Sequence, residues 1–248
     1  MTLPLGERRL DAVLLDIEGT TTPMAFVHDV LFPFARTHLA DWLDARSSSA
    51  EFNAVFEQLA RENAADRSRG ANATAWDTST MTTTRASIAR YAVALMDEDR
   101  KSPGLKLLQG LIWESGYQAG ELRGQVFADV PPALQRWRAA GLRLAIYSSG
   151  SELAQRRLFE STPDGDLTPL FDGFFDTGVG GKKESASYLR IVERLRVSVE
   201  RTMFISDVTA ELDAAKSAGL QVILSLRDGN AVQPSADEYE RVLSFDRL

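Results

Sequence analysis

A chain of 248 residues with 44% hydrophobic and 25% charged side chains is long enough to bury a sizeable core, as one domain with a large insertion or as two small domains. Its formal net charge of −7 argues against broad electrostatic attraction to nucleic acid or to an anionic membrane surface, so a small anionic substrate requires a local cationic site. The absence of cysteine removes disulfides, thiolate metal sites and cysteine nucleophiles, and leaves the redox compartment open.

In chain order, the first nine residues, with Glu7, Arg8 and Arg9, lack the apolar core of a signal peptide, and no stretch approaches the length of a membrane span. No membrane partner and a cytoplasmic location are therefore expected. Residues 10–15 form a short apolar run that ends on Asp16 and then Gly19, which predicts a buried strand leaving a sheet into a turn. From about residue 26 to 120 strand signals vanish. The stretches 27–45, 50–65, 83–96 and 105–118 place apolar residues at helical spacing, which predicts an all-helical insert. Within it, residues 64–84 are rich in Ala, Asn, Ser, Thr, Arg and Asp and read as a loop.

After Gly124 helix and strand alternate. Helices are predicted at 131–140 (proline in the first turn, Gly141 at the end), 152–160, 184–195 and 211–217, and strands at 143–147, 174–176, 202–206 and 221–226. Strands separated by helices of this length pair in parallel through right-handed crossovers. The predicted fold class is thus α/β, a doubly wound parallel sheet built from residues 1–24 and 121–248, interrupted after its first strand by a helical domain at 25–120.

In such sheets binding groups collect at the carboxyl ends of the strands. Asp16 and Glu18 follow the first strand, Ser148 and Ser149 the second, Lys182 and Lys183 follow Gly180-Gly181, and Asp207 follows Met203-Phe204-Ile205-Ser206. This set suits phosphoryl transfer. A carboxylate, here Asp16, can attack phosphorus and split hydrolysis into two easier displacements. Asp16 and Asp207 can hold a hard cation, with magnesium the expected cofactor, while Ser148 or Ser149 and Lys182 bind the remaining phosphate oxygens. Glu18, two residues beyond the nucleophile, can protonate the leaving alcohol and then activate water. Each residue alone has a plainer reading: a turn acid, a helix N-terminus, a solvated lysine pair, an N-cap. Their joint order on consecutive sheet edges favours the catalytic one.

These residues resemble the phosphatases of the haloacid dehalogenase superfamily, which carry a nucleophilic aspartate, a serine or threonine, a lysine and a distal metal-binding acid in this order on a Rossmann-like core. The chain is more closely similar to the enolase-phosphatase family of methionine salvage. The similarity rests on the run from Leu15 to Pro23, Leu15-Asp16-Ile17-Glu18-Gly19-Thr20-Thr21-Thr22-Pro23, with Ala25-Phe26-Val27 and Leu31-Phe32-Pro33. Further along it rests on Leu108-Gln109-Gly110 with Trp113, Phe127-Ala128-Asp129-Val130, Ile146-Tyr147-Ser148-Ser149-Gly150-Ser151, Phe175-Asp176-Thr177 and Ser206-Asp207-Val208-Thr209.

The resemblance implies that the phosphorylated diketone 5-methylthio-2,3-dioxopentyl phosphate is enolised and then dephosphorylated to the acireductone. It implies one Mg2+ per subunit held by Asp16, Glu18 (through side chain or backbone carbonyl) and Asp207. Ser148, Ser149 and Lys182 would hold the substrate phosphate, and Asp16, Glu18 and Lys182 would carry the chemistry. The helical insert is expected to be the cap that excludes water and selects the thioether tail, with Trp113, Tyr117 and Phe26 as pocket or core residues. Glu211, four residues after Asp207, reads either as support for the metal site or as an ordinary first-turn glutamate. Lys182 is preferred over Lys183 by alignment alone. A monomer is expected. Two alternatives share these residues: a phosphatase for another small sugar or acid phosphate, and a non-catalytic phospho-accepting regulator.

Overall fold

A computed structural model describes residues 9–70, 74–100 and 102–248, and its contacts divide the chain into two compact units, one of the residues up to His28 with Leu122–Leu248 and one of Asp29–Glu121. The charged stretch through residue 8 lies outside the described residues. Among the described residues no helix is long and apolar enough to cross a membrane.

The first unit is a parallel six-stranded sheet with helices between its strands. In chain order it contains β1 (Ala12–Leu15), α5 (Val130–Ala139), β2 (Arg143–Tyr147), α6 (Glu152–Glu160), β3 (Gly173–Phe175), α7 (Ser185–Leu195), β4 (Thr202–Ser206), α8 (Thr209–Ser217), β5 (Gln221–Ser225) and β6 (Arg241–Val242). The strand order is β3-β2-β1-β4-β5-β6, so β1 lies between β2 and β4, with Leu15 opposite Ile146 and Ile205. All four residues of β1 are fully buried, as a central parallel strand covered on both faces must be. Leu14, Tyr147, Tyr188, Ile191, Phe204 and Leu212 form the core on one side of the sheet. The strand β6, two residues long, escaped the sequence reading because so short a run has no periodicity to detect.

The second unit is entirely helical among its described residues. A π-helical stretch, Phe26–Leu31, leads into α1 (Phe32–Arg46), which is followed by α2 (Ala50–Ser68), α3 (Met81–Asp97) and α4 (Pro103–Gln118). The break between the π-helical stretch and α1 falls where Pro33, lacking an N–H, occupies the first turn of α1. Ser49, the Thr80/Thr83 capping box and Ser102 cap the next three helices. The predicted loop at 64–84 is shorter than expected: α2 continues to Ser68 and α3 begins at Met81. Residues 71–73 of that stretch lie outside the described residues.

The reason for the shorter loop is tertiary. Asp66 is buried and accepts hydrogen bonds from Tyr91 Oη at 2.6 Å and from both ends of the Arg100 guanidinium. The Ser87 hydroxyl accepts from Asp77 N at 2.9 Å and donates to Asp77 O at 3.1 Å. Polar residues that suggest a loop in isolation are here the partners of a buried network.

Candidate active site

The site grows from the end of β1. Asp16, the next residue, is 2% exposed, and its N–H still donates to Ile205 O at 3.0 Å, so the sheet fixes its backbone. Its Oδ1 accepts the Ile17 N–H at 2.8 Å. Ile17 O then accepts the N–H groups of Thr20, Thr21 and Thr22 at 3.1, 2.9 and 2.9 Å, which curls the chain into a compact turn. That turn needs Gly19 at φ +68°, and a Cβ there would lie 2.6 Å from both Asp207 Oδ2 and Asn230 Oδ1. The turn after the first strand therefore packs Gly19 directly against the carboxylate that follows the fourth strand.

Lys182 closes the arrangement. Its Nζ lies 2.6 Å from Asp16 Oδ1 and 2.7 Å from Glu211 Oε2, with the side chain 9% exposed. The neighbouring Lys183 is exposed to solvent. Two tyrosines hold the Lys182 loop: Tyr188 Oη donates to Lys182 O at 2.6 Å and Tyr147 Oη to Gly180 O at 2.8 Å. The Ser206 hydroxyl lies 3.1 Å from Asp16 Oδ2 and 3.0 Å from Glu211 Oε2. With one proton it serves one of these carboxylates at a time. Beyond Asp16, Ser148 Oγ donates to Glu18 Oε2 at 3.2 Å. Ser148 is fully buried, whereas Ser149 is exposed.

The electrostatics follow from crowding. Burial and then the Asp16 charge push the Glu18 carboxyl above the usual carboxylate range. The same two causes, in the same order, raise Asp207 to about 7 and also lift Glu211. Burial would lower the Lys182 ammonium, but the charges of Asp16, Glu211 and Glu18 overcome it and hold the group protonated, above its ordinary value. Four buried or half-buried carboxyl groups thus share one buried ammonium, and the site is short of positive charge.

The sequence pattern does not single out Ser206, Tyr147 or Tyr188 as site residues. Their signals were weak: Ser206 and Tyr147 stand inside quoted motifs, and Tyr188 is one apolar position of an amphipathic helix. Glu211, for which two readings stood open, pairs with Lys182 rather than standing as a solvated first-turn glutamate. In the core unit Phe26 is 2% exposed and packed. In the helical unit Trp113 stacks on Phe32 at 6.3 Å and donates its Nε1–H to Leu31 O at 2.7 Å, while the buried Tyr117 hydroxyl has no hydrogen-bond partner.

A carboxylate fixed at a central strand end, an ammonium against it, a second acid two residues on and a further acid after β4 define a hydrolase class. The chain belongs to the haloacid dehalogenase-like hydrolases, whose family model matches residues 10–219 and so spans Asp16, Glu18, Ser148, Lys182, Asp207 and Glu211. It is 46% identical to the enolase-phosphatase E1 of Synechococcus elongatus over 248 residues, 100% of both chains. It is 47% identical to the enolase-phosphatase E1 of Frankia alni over 223 residues, covering 88% of this chain and 87% of that one. Within the hydrolases, then, the chain is a member of the enolase-phosphatase family. Among solved structures it is similar to the UTR4 protein of Saccharomyces cerevisiae, with a TM-score of 0.75 and 29% identity over 96% of this chain and 100% of that one.

Proposed function

We propose that this enolase-phosphatase converts 5-methylthio-2,3-dioxopentyl phosphate through its enol into 1,2-dihydroxy-3-keto-5-methylthiopentene and phosphate, with Asp16 as nucleophile. The observation that carries this reading is the Asp16 carboxylate held at a central strand end by Lys182 at 2.6 Å, with the buried Glu18 carboxyl, its pKa raised, two residues away. Asp16 attacks phosphorus and the substrate alcohol departs with a proton from Glu18, leaving an aspartyl phosphate. Glu18, now a carboxylate, takes a proton from water as that water attacks the phosphorus and frees Asp16. Lys182 and Ser148 supply the donors that meet charge on the phosphoryl oxygens, with Ser149 the exposed hydroxyl beside them.

Magnesium fits the donor set. Among the described residues no three carboxylate or imidazole side chains cluster as a cage. Asp16 and Asp207 nevertheless crowd enough for one charge to raise the other carboxyl, which is the environment a divalent cation relieves. An ion that keeps several waters needs only one or two carboxylates, here Asp16 and Asp207, with the Glu18 backbone carbonyl as a further oxygen. When bound, one Mg2+ per chain supplies the positive charge that lets an anionic nucleophile approach an anionic phosphate.

Glu18 also suits the first reaction. Its side chain is longer than the aspartate found at this position in most related phosphatases, and burial beside the Asp16 charge raises its pKa, which favours its protonated form. In this reading the helical unit is the cap that selects the thioether-bearing substrate, and the protein works as a cytoplasmic monomer.

The test is to supply the diketone phosphate with magnesium and follow enol absorbance and phosphate release together, for the native protein and Asp16→Asn. The native protein should show the enol before phosphate, and Asp16→Asn should release none. Phosphate release without a preceding enol signal, or faster turnover of sugar or glycolate phosphates, would support a plainer phosphatase.

A further inference from the structure

The turn after Asp16 is held from a side that the reaction does not use. The N–H groups of Thr20, Thr21 and Thr22 converge on Ile17 O and that of Gly19 donates to Thr22 O, while the carbonyls of Gly19, Thr20 and Thr21 find donors outside the turn. Gly19 O accepts from Ser225 Oγ at 3.2 Å and from Asn230 Nδ2 at 2.9 Å. Thr20 O accepts from Arg227 Nε at 3.3 Å, and Thr21 O from Phe127 N at 3.0 Å. Three consecutive carbonyls are thus tied to the end of β5, to the segment after it and to the stretch before α5.

Arg227 is the centre of this clamp. Its Nη2 lies 2.8 Å from Asp129 Oδ2, with the two side chains only 5% and 10% exposed. Its Nη1 donates to Leu243 O at 3.1 Å. The guanidinium carbon stands 4.4 Å from the Phe127 ring centre and 4.5 Å from that of Phe245. Asp129 in turn accepts from Phe245 N and from Ser244 Oγ at 3.2 Å, fixing its own orientation. A buried ion pair recovers little net stability, because desolvation offsets most of its attraction. A planar guanidinium with Nε and Nη1 hydrogen-bonded to carbonyls and Nη2 ion-paired to Asp129 does have a fixed direction, and this one points its Nε at the turn that presents Asp16 and Glu18.

We infer that Arg227 and Asp129 are positioning residues for the Asp16 turn, acting on catalysis through the carbonyl of Thr20 without touching substrate. The kinetic part of this inference rests on the phosphatase reading; the structural part does not. Two variants test it, Arg227→Lys and the isosteric Asp129→Asn, which retains the shape of the pair should the first fail to fold.

Amide hydrogen exchange is followed by mass spectrometry in peptides covering residues 17–22 and, as a control, β4, alongside steady-state kinetics with the diketone phosphate. Exchange in the 17–22 peptide should quicken about tenfold or more while β4 stays protected. The kcat should fall by about ten- to a hundredfold, as expected for a displaced nucleophile, with KM changed by less than about threefold. A lowered melting temperature with unchanged exchange at 17–22 and unchanged kcat would overturn the inference and leave the pair as ordinary core. If the native protein does not turn over the diketone phosphate, the proposed substrate fails, and the exchange measurement still decides the clamp.

Discussion

Replacing Lys182 by methionine keeps the bulk of the side chain and removes the ammonium that lies 2.6 Å from Asp16 and 2.7 Å from Glu211. At an effective dielectric of about 20 each contact of this length is worth roughly 6 kcal/mol of attraction, much of it offset by desolvation. Breaking such a buried pair leaves uncompensated charge and costs about 3–5 kcal/mol. In a chain of this size that is a fall of roughly 6–20 °C in melting temperature. The pH dependence makes the prediction specific. In the native protein the raised pKa of Lys182 keeps its stabilisation fully present below its ordinary value of 10.5, so it is intact across the acid and neutral range.

In the variant, Glu18, Asp207 and Glu211, all already raised, rise further, and they can escape repulsion only by binding protons. The loss in melting temperature should therefore be smaller at about pH 5 than at about pH 8, measured by circular dichroism in the absence of divalent cations. On the proposed mechanism, in which Lys182 is a transition-state donor, phosphate release should fall by about a hundred- to a thousandfold. A loss of equal size at both pH values, or a larger one at the acid end, would refute the charge balance deduced for the site.

Three further outcomes are expected. Glu18→Gln preserves shape but cannot carry a proton, so exchange of the substrate's acidic proton with solvent, followed by proton NMR, should slow by about a hundredfold or more; unchanged exchange would remove Glu18 from proton transfer. Gly19→Ala adds a Cβ 2.6 Å from Asp207 Oδ2 at a residue with φ +68°, so it should lower stability by about 1–3 kcal/mol in chemical denaturation and turnover by about a hundredfold. Asp207, raised from 3.8 to about 7, contributes stability that is complete below 3.8 and is lost as pH rises through about 7, so the metal-free protein should become less stable over that window. In the proposed magnesium site the ion would compete with this proton, so Mg2+ affinity by calorimetric titration should rise from about pH 6 to about pH 8, and a flat profile would remove Asp207 from that proposal.

Much of the core unit is legible from local pattern. The all-apolar Ala12–Leu15, the strands Arg143–Tyr147 and Thr202–Ser206, and the helices between them carry their own periodicities and punctuation, and short crossovers then force parallel pairing. Strand ends are also readable, which is why Asp16, Ser148 and Asp207 can be placed on one sheet edge before any coordinates are known.

What local pattern cannot carry is which side chain turns inward and what it meets. Lys182 and Lys183 are adjacent and chemically equivalent in sequence, yet the tyrosine-held loop buries the first against Asp16 and leaves the second in solvent. Glu211 sits in the first turn of a helix, where a glutamate is common for its effect on the helix dipole; only the fold puts Lys182 and Ser206 beside it. Asp129 and Arg227 lie 98 positions apart, and neither has a signal in its own neighbourhood that announces the other. By itself, then, the sequence determined the class of the fold, the family and the chemical types gathered on one sheet edge, because those depend on periodicity and order along the chain. The tertiary structure decided the partners, protonation tendencies and orientation of those groups, because burial and distance between remote residues exist only once the chain has folded.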